Sequence, residues 1–186
     1  MFRVWMQILK RVEGSVLWLG AWDKSTRVNL CLQAEAAGVS PDRLIFAGIV
    51  GHGEHLSRLG HADLQLDNQY HGGGVTTIDG FWAGVPIVTY HGITAASGNG
   101  ATLANAIGIP EVVTTSLEDF EELAVKLANN RDLYRSLRQR VESNRDTAPL
   151  FDRERYTRHL ERAIDLMWEQ AVRGGTGHQR VTPLEC

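Results

Sequence analysis

Apolar and polar positions along the first two thirds of the chain alternate between helix-like periods and short strand-like runs. "FRVWMQILKRV" places Phe2, Trp5, Ile8, Leu9 and Val12 on one helical face at spacings of three and four. "SVLWLGA" (15–21) is an apolar run of strand length. "STRVNLCLQAEAAG" then carries Val28, Cys31 or Leu32, and Ala36 at helical spacing, with Gly38 as a stop. "RLIFAGIV" (43–50) predicts the next strand, and "GEHLSRLG" a short helix with Leu56 and Leu59 inward and Gly60 at its end. "ADLQLD" (62–67) reads as a strand, followed by a glycine loop and a helix through Trp82 and Ala83. "PIVTY" is a further strand, "SGNGATLANAIG" a helix with a weak start, and "EVVTT" a short last strand.

From Ser116 onward the pattern is helical only. Ser116 and Asp119 make a capping-box signature before Phe120, Leu123, Ala124 and Leu127. Leu133, Leu137 and Val141 set a second helix. Tyr156, Leu160, Ile164 and Met167 set a third, opening after Asp152 as its cap. Strands alternating with helices predict an α/β fold with a parallel sheet covered on both faces, closed by three packed helices over 116–170. Residues 1–170 form the folded domain in this reading, and 171–186, which lack any period, form a mobile tail.

With 186 residues, 43% of them hydrophobic, the chain can bury one substantial core. A net charge of -3 offers no basic field for nucleic acid. The longest apolar runs fall far short of the ~20 residues of a membrane helix, and Arg3, Gln7, Lys10 and Arg11 interrupt any signal-like stretch at the start. Two distant cysteines, Cys31 and Cys186, fit a reducing cytoplasm, with Cys31 a buried thiol on an apolar helix face.

The chemistry concentrates in "HGGGVTTIDG", residues 71–80. Glycine costs backbone entropy, so three in a row at a strand-to-helix junction call for bare backbone there. The loop follows Asp67 at the carboxyl end of a strand, the edge where open α/β sheets bind ligands. A helix beginning near Val75 would point its first N–H groups, at Val75, Thr76 and Thr77, at that loop. A helix amino terminus is a ready phosphate site. Gly72, Gly73 and Gly74 admit the phosphate, and the Thr76 and Thr77 hydroxyls add donors. Asp79, read in the first helical turn, would repel a phosphate in contact and suits sugar hydroxyls beside it. The alternative is a plain glycine turn with Asp79 answering the helix dipole. A Walker A loop is excluded by the lack of Gly-Lys-Ser/Thr, and the dinucleotide fingerprint by spacing and by the acid-free "TYHG".

"HGEHLSR" supplies His52, His55 and Arg58 after the strand 43–50. His55 and Arg58 share a helix face. Arg58 can clamp a diphosphate and His55 can donate to it; the alternative for Arg58 is a solvated helix arginine. Zinc binding by His52, His55 and His61 lacks an acid or cysteine at ligand spacing, so no metal is expected. No Ser-His-Asp or Cys-His set stands out.

"RLIFAGIVGHGEHLSR", "ADLQLDNQYHGGGVTTIDGFWAGVPIVTYHG" and "PLFDRERYTRHLERAIDLMW" together resemble the O-linked N-acetylglucosamine transferase family, including its SPINDLY-type members. The likeness runs from about Trp5 to Trp168. It implies the carboxyl-terminal, Rossmann-like, donor-binding domain of a GT-B glycosyltransferase, a cytoplasmic enzyme that uses neither metal nor cofactor. Its partners would be a nucleotide-sugar donor, UDP-N-acetylglucosamine or GDP-fucose, and a protein acceptor with serine or threonine hydroxyls. Nucleic acid and membrane are not among them.

By the same resemblance His55 and Arg58 lie near the diphosphate, Val75, Thr76 and Thr77 at the phosphate-binding helix start, and Asp79 on the ribose. His52 stands where some members have lysine, and Gly74 and Val75 where a histidine or threonine is common. The family domain opens with a strand that this sequence does not show, and an acceptor-side half and tetratricopeptide repeats precede it. A missing central strand predicts a sheet interrupted in its middle. No general base is identifiable, so an incomplete catalytic unit is expected, the alternative being a non-catalytic nucleotide- or partner-binding module.

Overall fold

The computed structural model describes residues 1–20 and 23–182. Helix α1 (Phe2–Arg11) leads into strand β1 (Leu17–Gly20), helix α2 (Lys24–Ala36), strand β2 (Leu44–Ala47) and helix α3 (His52–Leu59). Strand β3 (Gln65–Leu66), helix α4 (Val75–Trp82), strand β4 (Ile87–Tyr90), helix α5 (Asn99–Ala106) and strand β5 (Val113–Thr114) follow. Three helices close the chain: α6 (Leu117–Asn129), α7 (Arg131–Asn144) and α8 (Arg153–Val172). The order matches the pattern read from the sequence, with shorter strands. The predicted strand 62–67 is reduced to two residues, and the last residue of the predicted strand 15–21 lies outside the described residues.

All strands pair in parallel, in two sheets ordered β1–β2 and β3–β4–β5. Among the described residues "SVLWLG" and "LQLD" do not pair, so the single sheet of the simple reading is interrupted, as the resemblance implies. Each sheet has its own core. Leu17, Leu19 and Phe46 pack with Met6, Leu9, Ala34 and Leu44 against the first sheet. Phe81, Ile87, Val88, Ile107, Ile109, Phe120, Leu137 and Val141 fill the second. Helix α1 spans both, with Met6 and Leu9 in one cluster and Ile8 in the other. Trp5 packs against each. Met6, at 1% exposed, is buried more deeply than the α1 residues picked out by spacing.

Two predicted faces are corrected. Val28, Leu32 and Ala36 of α2 are exposed; of the expected face only Cys31, read as the alternative to Leu32, turns inward, beside Leu30, Ala34 and Ala37. Helix α8 forms after its Asp152 cap, which accepts the Arg155 N–H at 2.8 Å. No residue of α8 is buried, however, and Tyr156, Leu160, Ile164, Met167 and Trp168 all face outward. Only α6 and α7 of the closing helices pack on the core.

Helix α7 holds the carboxyl ends of the three helices that follow β2, β3 and β4. Arg138 Nη2 donates to Gly60 O at the end of α3 (3.2 Å), and Arg145 Nη1 to Trp82 O at the end of α4 (2.9 Å). Asn144 Nδ2 donates to Ile107 O at the end of α5 (2.8 Å). These donors meet helix-terminal carbonyls that have no intrahelical partner. The opposite, amino-terminal ends of α3, α4 and α5 lie at the carboxyl edge of the strands.

Candidate functional site

Three loops, one after each of β2, β3 and β4, meet at that edge. The anchor of the middle loop is Asp67, just after β3 and 4% exposed. Its Oδ1 accepts the N–H groups of Asn68 and Gly73, both at 2.8 Å, and its Oδ2 accepts the Thr89 hydroxyl at 2.6 Å. A buried carboxylate needs such donors to offset its lost hydration, and here they fold residues 68–73 back against the strand end. The third loop closes over the same point. Gly72 N–H donates to Ala96 O at 2.9 Å, and a Cβ on Gly72 would lie 3.0 Å from Gly100 N. A Cβ on Gly100 would overlap Asp67 Oδ2 and Thr89 Oγ1. Bare backbone is therefore required by packing at Gly72 and Gly100.

Helix α4 begins at Val75, where the sequence places it. Its first internal bonds run from Thr77 N–H and Ile78 N–H to Gly74 O, both at 3.1 Å. The N–H groups of Val75 and Thr76 precede that first bond and belong to the loop. Val75 and Thr76 are exposed and Thr77 is buried. Gly73 sits over the threonine hydroxyls, since a Cβ there would overlap Thr77 Oγ1 and lie 3.1 Å from Thr76 Oγ1. Asp79 is the fifth residue of α4, one position beyond the first turn expected for it. Its Oδ1 accepts from His52 Nε2 at 3.2 Å, which bridges α4 to the start of α3.

Arg58 is the most constrained cation of the edge. Its Nη1 donates to Gly48 O at 2.9 Å and its Nε to His55 Nδ1 at 3.3 Å. Its guanidinium carbon lies 5.5 Å from the centre of the Trp18 ring. Arginine only donates, so His55 Nδ1 accepts, and a neutral His55 then carries its ring hydrogen on Nε2. The structure thus brings His55 and Arg58 together as one unit and pairs His52 with Asp79, while Gly73, Gly74, Val75, Thr76 and Thr77 form one continuous loop-to-helix junction.

Sequence reading missed Asp67, Thr89, Gly100 and Trp18. The first three carry a legible signal, an acid and a hydroxyl at the ends of successive strands with a glycine beyond. Trp18 carries none, because its contact with Arg58 spans 40 residues of chain. Among the described residues no three His, Cys, Asp or Glu side chains gather as metal ligands. The site combines a guanidinium, an imidazole, two hydroxyls and helix-terminal N–H groups around bare backbone, a set that complements an anionic oxygen-rich group.

The model of glycosyl transferase family 41 matches residues 1–160. The chain is 37% identical over 165 residues to the probable UDP-N-acetylglucosamine–peptide N-acetylglucosaminyltransferase SEC of Arabidopsis thaliana, covering 88% of this chain and 17% of that protein. It is 29% identical over 171 residues to the UDP-N-acetylglucosamine–peptide N-acetylglucosaminyltransferase of Caenorhabditis elegans, covering 92% and 15%. With the probable transferase SPINDLY of Solanum lycopersicum it shares 27% identity over 176 residues, covering 92% and 19%.

A solved O-GlcNAc transferase mutant from Thermobaculum terrenum superposes with a TM-score of 0.87 at 25% identity, covering 93% of this chain and 34% of that one. The chain thus spans less than a fifth of these curated relatives and about a third of the solved neighbour. The α/β, Rossmann-like fold is that of a GT-B carboxyl-terminal domain, and the chain belongs to glycosyl transferase family 41.

Proposed function

We propose that this glycosyltransferase chain is the donor-binding domain of a protein O-glycosyltransferase, taking UDP-N-acetylglucosamine as donor and serine or threonine hydroxyls of proteins as acceptors. The observation that carries the reading is the Asp67-pinned glycine loop opening onto the start of α4 beside the Arg58–His55 pair. The names of the relatives support the donor. Asp79, beside His52 and one turn into the helix, suits the ribose hydroxyls.

In this reading the sugar's anomeric carbon breaks its bond to the diphosphate oxygen and forms one to the acceptor oxygen. Negative charge grows on the departing diphosphate. Arg58, the His55 Nε2–H and the Val75 and Thr76 N–H groups stabilise that charge, the form of catalysis that pre-aimed donors provide. The acceptor-side half of the transferase supplies the group that takes the hydroxyl proton. Two distant cysteines suit a reducing, cytoplasmic setting.

The test is an amide chemical-shift map of the isotopically labelled chain titrated with UDP. The largest shifts are expected at residues 72–77 and around Arg58. Shifts confined to α6–α8 would overturn the reading.

A further inference from the structure

Trp18 lies on β1, away from the three loops of the candidate site. Its register partner is Ile45 on β2, and the two side chains occupy the face of that sheet opposite the Leu17, Leu19 and Phe46 core. Both remain substantially exposed, so Trp18 is not held by core packing. What it meets is Arg58, whose guanidinium carbon lies 5.5 Å from the ring centre. Three hydrogen bonds fix the same group, from Nη1 to the Gly48 carbonyl at 2.9 Å and from Nε and Nη2 to His55 Nδ1 at 3.3 and 3.2 Å. These reach the guanidinium within its own plane, whereas the indole covers a face.

We propose that Trp18 is a positioning residue for Arg58, a π platform that holds the guanidinium ready for the donor's diphosphate. The inference rests on the diphosphate-binding reading of the site. An unrestrained arginine side chain has large rotamer freedom to lose on binding, and a group fixed beforehand loses less. A cation over an indole face is also attracted electrostatically and partly stripped of water. Through Arg58, Trp18 therefore acts on the diphosphate, the part of the ligand that Arg58 meets in this reading.

Two measurements test this on the full chain. In the ligand-free protein, the Arg58 Nε–H resonance is expected to show a ring-current shift that Trp18→Phe retains and Trp18→Leu abolishes. A resonance unmoved by Trp18→Leu overturns the platform whether or not nucleotide binds. In calorimetric titration, Trp18→Leu is expected to weaken UDP about fivefold to tenfold while Trp18→Phe stays within about threefold, the range of a partly desolvated cation–π contact. Uridine binding should be unchanged in both. On an Arg58→Ala background Trp18→Leu should have no further effect. An equal loss in Phe and Leu variants, or an undiminished loss without Arg58, gives Trp18 a general structural role and overturns the proposal. Absence of UDP binding by the unsubstituted protein defeats the diphosphate reading instead, and the resonance then decides the platform by itself.

Discussion

Asp67 Oδ2 accepts the Thr89 hydroxyl at 2.6 Å, a buried side-chain bond between the ends of two adjacent parallel strands. The other oxygen of the same carboxylate holds Gly73 and Asn68. One acid thus fixes strand to strand and loop to strand. Asp67→Ala leaves three donors without their acceptor, at about 1–3 kcal/mol for each one that stays buried. A loss of roughly 3 kcal/mol in urea-unfolding free energy is expected, together with loss of UDP binding. Thr89→Val removes one donor and should cost about 1–2 kcal/mol. A double-mutant cycle of the two should show clear non-additivity.

The same substitution should have opposite effects at two glycines. Gly100→Ala drives a Cβ into Asp67 Oδ2 and Thr89 Oγ1 and should destabilise by about 1–3 kcal/mol, as overpacking does. Gly53 lies inside α3 with open space around it. Gly53→Ala should stabilise by about 0.5–1 kcal/mol through helix propensity. Thermal unfolding of the two variants checks both signs.

Acid should loosen the first half of the chain. Hydrogen bonds from Ser25 and Thr26 hold the Asp23 carboxyl, the cap of α2, well below the usual aspartate range. Arg11 likewise lowers Glu122 through its hydrogen bonds, at 2.6 and 2.8 Å, and so ties α1 to α6. A depressed folded value means that the stabilisation is fully present above the unfolded value near 4 and is lost as pH falls through the folded one. Urea midpoints measured from pH 6 to pH 3 should fall, and fall less steeply in Asp23→Asn and Glu122→Gln. An unchanged slope in both variants would contradict the assignment.

Helix α8 should be dispensable for the stability of this chain. It carries no buried residue, and the apolar row from Tyr156 to Trp168 faces outward. A chain ending at Asp152 is expected to keep its thermal midpoint within a few degrees and to bind less of an apolar dye such as ANS. A large drop in midpoint would show that α8 packs on the core.

Local signals were legible in the sequence and long-range ones were not. The Ser116 cap of α6 forms as read, with Asp119 N–H on Ser116 Oγ at 3.0 Å, while Asp119 Oδ2 accepts the Ser116 hydroxyl at 2.7 Å. The start of α4 at Val75 followed from a glycine run ahead of an apolar period. Asp67 read only as the end of a strand, since nothing next to it in sequence shows that Gly100, 33 residues on, leaves room to bury it. The outward turn of Val28 and Leu32 escaped the period because Leu30, Ala34 and Ala37 form a second apolar row at helical spacing, and it is this row that meets the sheet. The α8 stripe has the period of a buried helix, and a period alone does not say what covers it.

The central claim is that Arg58 and the start of α4 bind a nucleoside diphosphate, and calorimetric titration with UDP, GDP and ADP, alongside Arg58→Ala, tests it most directly. The account predicts UDP binding in preference to the other two, weakened at least tenfold by Arg58→Ala. Preferential GDP binding would keep the site but point to a GDP-sugar such as GDP-fucose. Binding of none by the folded chain, or UDP binding indifferent to Arg58, would contradict it.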